Sequence, residues 1–442
     1  MVPKDMKNTD FQEVLEKKDL IGKSVINKLE KENWDDDLMR NLDDYAPTMS
    51  YLDHEDFIIE KVEKLIIDSK YISHGLYTRD FSNLFVSWKN DEWLGGLIYL
   101  DQNFSSRKIT STLKTFLESF SKAFVKNDRI CSFSFHFNGR WFQYPSFSPR
   151  VGVIIEELIK LNNHHPISDW EALLKRSFEN KYFKKRGVFP NETFFGYLSF
   201  FNEVSEVNKI SLPGFYLNKM LPTQKTYRPV KHNSSLLHAL ITGCRLSDSS
   251  FLHSKLSEFI EGFVRNFITQ RGLVGIPPLE IERGNFRLSY NHPVIDSLCD
   301  AYYFVEKNPH WLDTAEKVAD AWKKIRLPTN LFPVSPNDPS SWLDDQIDIA
   351  ISFGRLYELT DIGEYLEIAL KTLTSAFDKH YSEAKEGLVE RVDKNGKIID
   401  SSIHPKYNAL AIKAFIFLEK VVQGNEKIYS KDSDIHELLK DR

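Results

Sequence analysis

Cysteine is scarce in this chain: Cys131, Cys244 and Cys299 are the only three in 442 residues, far apart and outside any CxxC or Cys/His spacing. That argues against a disulfide framework or a zinc site and fits a reducing compartment. No apolar run reaches the length a spanning helix needs, and the opening MVPKDMKNTDFQEVLEKKDL has no apolar core before a cleavage site. The expected location is cytoplasmic, without a membrane partner. No Gly/Ser/Pro linker or low-complexity stretch divides the chain, so a single domain is expected over residues 1–422, followed by a polar tail at 423–442. Excess charge of one sign is also lacking. Lys and Arg number 58 against 63 Asp and Glu, for a net charge of -5, and they are scattered, so nucleic acid is not an expected partner.

What the chain does have is apolar material, 41% hydrophobic and 13% aromatic, enough to bury a large core. Between Gly272 and Lys420 it is also periodic. Loops opening at Gly272, Asn330 and Gly387, spaced 58 and 57 positions apart, each lead into an apolar helix, expected near Val294–Glu306, Trp342–Leu359 and Lys406–Val422. After Asp348 the segment IAISFGRLYEL is apolar on most sides, as an enclosed helix requires. In WLDTAEKVADAWKKI, Trp311, Ala315, Val318, Ala319, Trp322 and Ile325 share one face while Glu316, Lys317, Asp320, Lys323 and Lys324 share the other, which predicts an outer helix wet on one side. Similar punctuation at His74, Gly139, Arg186 and Lys225 extends the pattern to six or seven hairpins. Alternating enclosed and half-wet helices predict an all-α fold of two concentric rings, an (α/α)6-type toroid with long rim loops.

In such a ring the inner helices run the same way, so the loops before them line one cavity. Three consecutive loops bring Tyr290-Asn291-His292-Pro293, Ser340-Ser341-Trp342-Leu343-Asp344-Asp345-Gln346 and Ile403-His404-Pro405-Lys406-Tyr407-Asn408 to that rim. Pro293 and Pro405 suit a first helical turn, which places His292 and His404 near N-cap positions.

Rim loop, Trp342-Leu343-Asp344-Asp345, apolar inner helix and the following Arg355-Leu356-Tyr357-Glu358-Leu359-Thr360 together resemble the six-hairpin glycosidase superfamily. The nearest resemblance is to the unsaturated glucuronyl and rhamnogalacturonyl hydrolases, where the Asp of a Trp-x-Asp-Gly or Trp-x-Asp-Asp opening is catalytic. It implies that role for Asp344, with Asp345 beside it. Sugar 2-epimerases and several polysaccharide lyases share the toroid and use histidine or tyrosine.

The residues by themselves leave alternatives open. Ser341 followed three residues later by Asp344 is close to a capping box, so Asp344 has a purely structural reading. Asp345 and Asp348 are harder to dismiss, because carboxylates at the mouth of an apolar helix need partners or water. The positive end of the helix favours an ionised Asp344 or Asp345 as base or nucleophile. An acid would then come from Asp296, Glu280 or Glu282. His292 and His404 are the acid and base of an epimerase or lyase alternative. Trp141, Tyr144, Phe189, Tyr290, Phe332, Trp342 and Tyr407 offer flat faces to a sugar, Asn291 and Asn408 offer amides, and Arg283, Arg287 and Arg391 suit an anionic group. Asp344-Asp345-Gln346-Ile347-Asp348 also reads as DDxxD, but the second metal motif that chemistry needs is missing, so no metal or cofactor is expected. The favoured reading is a glycoside hydrolase acting on an oligosaccharide. The alternatives are an epimerase or lyase, or a non-catalytic toroid that binds a glycan or protein.

Overall fold

The computed structural model describes residues 8–31, 34–68, 72–78, 84–86, 90–125, 130–137, 139–145, 152–162, 170–178, 229–276 and 285–423. Phe189, Glu280, Glu282, Arg283, the Tyr144 side chain and tail residues 424–442 lie outside this description. Helices dominate what is described: α1 Asn8–Lys31, α2 Asp35–Arg40, α3 Leu42–Tyr51, α4 Glu55–Asp68, α5 Asp91–Asn103, α6 Arg107–Phe124, α7 Gly152–Asn162, α8 Trp170–Phe178, α9 Pro229–Leu246, α10 Ser250–Phe267, α11 Leu288–Asp300, α12 Pro309–Lys323, α13 Leu343–Thr360, α14 Gly363–His380 and α15 Pro405–Gln423. The strands are short: β1 Ile72–Ser73, β2 Leu76–Tyr77, β3 Leu84–Val86, β4 Cys131–Phe137, β5 Arg140–Pro145, β6 Ser341–Trp342, β7 Tyr381–Ser382, β8 Gly387–Leu388, β9 Arg391–Val392 and β10 Ile398–Asp400. Among the described residues no helix is long and apolar enough to cross a membrane.

The chain divides into two compact units. One comprises Met1–Ile67, Gly95–Ile109 and Phe267–Arg442, the other Asp68–Leu94 and Thr110–Asn266. In the first, α11, α13, α15 and α3 pack side by side in that order, with α12 behind α11, α14 behind α13 and α1 behind α15. Burial follows this arrangement. Residues Ile349 to Gly354 of α13 are all buried, whereas α12 buries Trp311, Ala315, Val318, Ala319, Ala321 and Trp322 and leaves Asp313 and Lys317 to solvent. Gly354 lets α15 approach α13, since a Cβ there would lie 2.7 Å from Leu418 Cδ2 and 2.8 Å from Phe417 Cε1.

One expected boundary moves. Helix α11 starts at Leu288, five residues before Pro293, so Pro293 lies inside the helix and His292 a full turn in from its start. The helix then ends in a π-turn over Ala301–Val305. By contrast, α15 begins at Pro405 as its N1 reading predicts, and His404 directly precedes it.

The loops are held onto the helices by a repeated device. Each loop turns through a left-handed residue, Gly272 (φ 91), Asn330 (φ 65) or Glu386 (φ 50), and two positions later its backbone is gripped by an amide from the first turns of the next inner helix. Asn291 Oδ1 accepts from the Val274 N–H at 2.8 Å while its Nδ2 donates to the Val274 carbonyl at 3.1 Å. Gln346 holds the N–H and carbonyl of Phe332 at 2.6 and 2.9 Å, and Asn408 holds those of Leu388 at 2.8 and 3.0 Å. All three amides are buried. In the third loop the left-handed residue is Glu386, so the period of the fold is set one residue ahead of the expected Gly387.

A further tether lies at the end of α14. His380 is fully buried, and its Nδ1 lies 2.8 Å from the Val389 carbonyl, which can only accept, so Nδ1 carries the proton. Burial lowers its pKa from the ordinary 6.5 to about 4, against the opposing effect of that hydrogen bond. The unfolded chain therefore binds this proton first, and the neutral side chain's contribution is present above pH 6.5 and lost as pH falls towards 4. The loss amounts to about 3 kcal/mol once both states are protonated. We expect His380→Phe to flatten this part of the acid limb in urea titrations at pH 4 to 7, with a lower plateau at neutral pH from the missing Val389 bond.

In the second unit α7 packs on α9 and α8, and β3, β4 and β5 form an antiparallel sheet in that order. The loop-and-amide device occurs here too: Gly75 is left-handed (φ 74), and Asn90 holds the N–H and carbonyl of Tyr77 at 2.7 and 3.2 Å.

Candidate active site

The loops before α13 and α15 are joined by strand pairing. Strand β6 pairs antiparallel with β9, Ser341 opposite Val392 and Trp342 opposite Arg391, and β10 pairs with the other edge of β9. The ladder runs on by one residue each way: the Leu343 N–H donates to the Glu390 carbonyl at 3.0 Å and the Glu390 N–H donates to the Ser402 carbonyl at 2.9 Å. Glu390 is thereby fixed between the first residue of α13 and the segment two residues before His404.

This pairing assembles a cluster. Asp344 and His404 each lie within electrostatic reach of Glu390, and Tyr407 is in reach of both carboxylates. The His404 ring lies 5.4 Å from Tyr407 and 5.6 Å from Trp34, the latter edge-on. Burial pushes the Glu390 carboxyl above its ordinary value, with Asp400 and Asp344 adding to the rise and His404 opposing it. Burial, Asp344 and Glu390 push the Tyr407 phenol up to about 12, so it stays an O–H donor at neutral pH. Neither Glu390 nor Trp34 was anticipated as a site residue.

The capping-box reading of Asp344 is not realised. Trp342, not Ser341, occupies the N-cap and makes no side-chain capping bond, while the Ser341 hydroxyl donates to the Phe332 carbonyl at 2.8 Å.

His292 forms a second station. Its Nε2 lies 3.6 Å from Asp348 Oδ2, and the two side chains project from neighbouring helices α11 and α13. Asp296, one turn further along α11, faces Arg355 of α13 at 3.8 Å, and Arg355 also makes a two-pronged contact with Asp300 at 2.9 and 3.0 Å. That ion-pair set ties α11 to α13.

The other expected residues are placed as follows. Trp342 is half-buried, with the Arg391 guanidinium 5.4 Å from its ring centre. Arg391 also donates to Asp338 at 2.9 Å and to Ser340 Oγ. The Asp338 carboxyl sits below its ordinary value because the Ser340 hydrogen bonds and Arg391 outweigh burial. Arg391 is thus engaged within its own loops. Tyr290 and Phe332 are buried in the core, and Asp345 is buried in the first turn of α13. Asn291 and Asn408 have their amides taken up by loop backbone, as described above. Arg287 is half-buried at the N-cap of α11. Trp141 belongs to the second unit, where it packs with Phe85, His74 and His136 at 5.1, 5.7 and 4.7 Å.

No protein-family model and no curated sequence matches this chain. Solved structures do. A D-mannose isomerase is 11% identical, covers 81% of this chain and 95% of its own, and superposes with a TM-score of 0.54. A cellobiose 2-epimerase from Spirochaeta thermophila is 13% identical, with coverage of 80% and 92% and a TM-score of 0.54. A sugar epimerase from a ruminal bacterium is 13% identical, with coverage of 83% and 96% and a TM-score of 0.53. At such identities the likeness is one of fold: this chain has the all-α, (α/α)6-type toroid fold of the six-hairpin glycosidase-like enzymes.

Proposed function

We propose that this chain is a sugar epimerase or isomerase that moves a proton at the carbon beside the carbonyl of a reducing sugar, using His292 and His404. One observation carries this reading. His292 stands one turn into α11 and His404 directly before α15, the helices that pack on either side of α13, and each has a carboxylate in reach, Asp348 for the first and Glu390 for the second. A carbon acid next to a carbonyl needs one base to remove its proton and a second group to return one, to the opposite face for an epimer or to the neighbouring carbon for an isomer. Imidazole suits both tasks, since its ordinary pKa is about 6.5. Trp34, Trp342 and Tyr407 give flat faces against which a sugar ring packs. The sugar isomerase and epimerases with this fold support the choice of substrate class.

The test is to incubate the chain with D-mannose and with cellobiose and follow the anomeric and C2 resonances by NMR. The expected result is a new C2 epimer or a ketose, with no release of monosaccharide from cellobiose.

A second reading is favoured by a different observation: the carboxylates Asp344 and Glu390 lie in mutual reach and Glu390 is pushed towards its protonated form. A carboxyl raised in this way beside a second carboxyl is what glycoside hydrolysis uses for its acid. On that reading Asp344→Asn abolishes sugar release from an oligosaccharide, while His292→Asn leaves it intact.

A further inference from the structure

A proton-transfer site for reducing sugars has a prior chemical problem. In the ring form there is no carbonyl, so the neighbouring C–H is not acidic and His292 and His404 have nothing to act on. Opening the ring requires a proton on the ring oxygen and loss of the proton on the anomeric hydroxyl. It therefore needs an acid and a base, close together and in opposite protonation states at one pH.

We propose, resting on the proton-transfer reading above, that Glu390 is the acid and Asp344 the base of this ring-opening step. The placement comes from the backbone. Glu390 is held on one side by the Leu343 N–H, next to Asp344, and on the other by the Ser402 carbonyl, two residues before His404. A sugar presented to His404 thus has Glu390 and Asp344 side by side at the same end of the site. The charged and titratable groups around Glu390 come from three elements: Asp344 from α13, Asp400 from β10 and His404 from the start of α15. Around Tyr407 they are Asp344 and Glu390 again, with Lys406 and Asp37. Burial and the two neighbouring carboxylates push the Glu390 carboxyl above its ordinary value, against the effect of His404, whereas Asp344 sits in the first turn of α13, at the positive end of the helix.

The step balances. The Glu390 carboxyl gives its proton to the ring oxygen, the bond from the anomeric carbon to that oxygen breaks, the anomeric O–H proton passes to Asp344, and the carbonyl forms. Ring closure after proton transfer returns both protons to their starting groups, so no oxidant or co-reactant is consumed.

The test compares the full chain with its Glu390→Gln variant in D2O on two probes, D-mannose, which is almost wholly ring-closed, and D-glyceraldehyde, which is too short to close a ring. Deuterium uptake at C2 is followed by NMR. The expected result is a loss on mannose that exceeds the loss on glyceraldehyde by roughly 100-fold or more. Asp344→Asn should show the same split, which covers the case in which Glu390→Gln fails to fold. Equal losses on both probes, or no loss on mannose, overturn the proposal. If the parent chain exchanges neither probe, the proton-transfer reading itself falls and takes the ring-opening roles with it.

Discussion

His292→Asn and His404→Asn should each lower turnover of the sugar substrate by about 10² to 10⁴-fold, the usual contribution of a positioned acid or base. Folding should hardly change. The Ser352 hydroxyl meets His292 through the backbone carbonyl, which asparagine retains, and His404 lies just outside α15. Asparagine keeps the polarity and much of the shape but neither takes up nor releases a proton near neutral pH. The two variants should also be unequal in a way that hydrolysis does not produce. If each histidine serves one face of the carbon, each variant loses turnover of both epimers, since every turnover needs one proton removal and one return, yet still exchanges the C2 proton of the epimer that faces the histidine it retains. Deuterium exchange into each epimer in D2O, measured with melting curves alongside, checks this.

The largest stability effect is expected at Asn291. Replacement by Leu keeps the volume but leaves the Val274 N–H and carbonyl, both gripped by the Asn291 amide, buried and unpaired. Each orphaned group costs about 1 to 3 kcal/mol, so the variant should lose roughly 2 to 5 kcal/mol. Urea unfolding without any sugar present reads this directly. Had Asn291 served the sugar alone, the variant would unfold like the parent and show only a raised KM. Gln346 and Asn408 should behave the same way, and Gln346→Leu somewhat more mildly, because the Phe332 carbonyl keeps its bond from Ser341.

This contrast shows where the sequence was legible and where it was not. Helix type followed from periodicity alone: the apolar run of α13 is enclosed and the two-faced α12 is wet on one side, since burial is a property of each helix's own pattern. Loop period was visible because left-handed turns favour Gly and Asn, although Glu386 occupies the third one. The amides were visible only as polar residues near a rim. What they grip lies 14 to 20 positions earlier in the chain, at Phe332, Val274 and Leu388. Pro293 misplaced the start of α11, because a proline inside the second turn looks the same in sequence as one at the first position. Glu390 was missed for a similar reason. Its place is set by pairing with a two-residue strand some fifty positions away, too short to leave an alternation signal. The one hint was a carboxylate directly after the apolar Leu388-Val389, a charge that needs a reason to be there.

The central claim is that a proton is moved at the carbon beside the sugar carbonyl by His292 and His404. The most direct measurement is mass spectrometry of the product formed from D-mannose in D2O, with tandem fragmentation to locate the label. The account predicts one non-exchangeable deuterium, at C2 in an epimer or at C1 in a ketose, and its loss in the His292→Asn, His404→Asn double variant. Sugar release from an oligosaccharide with no carbon-bound deuterium, at a rate unchanged in that double variant, would contradict it.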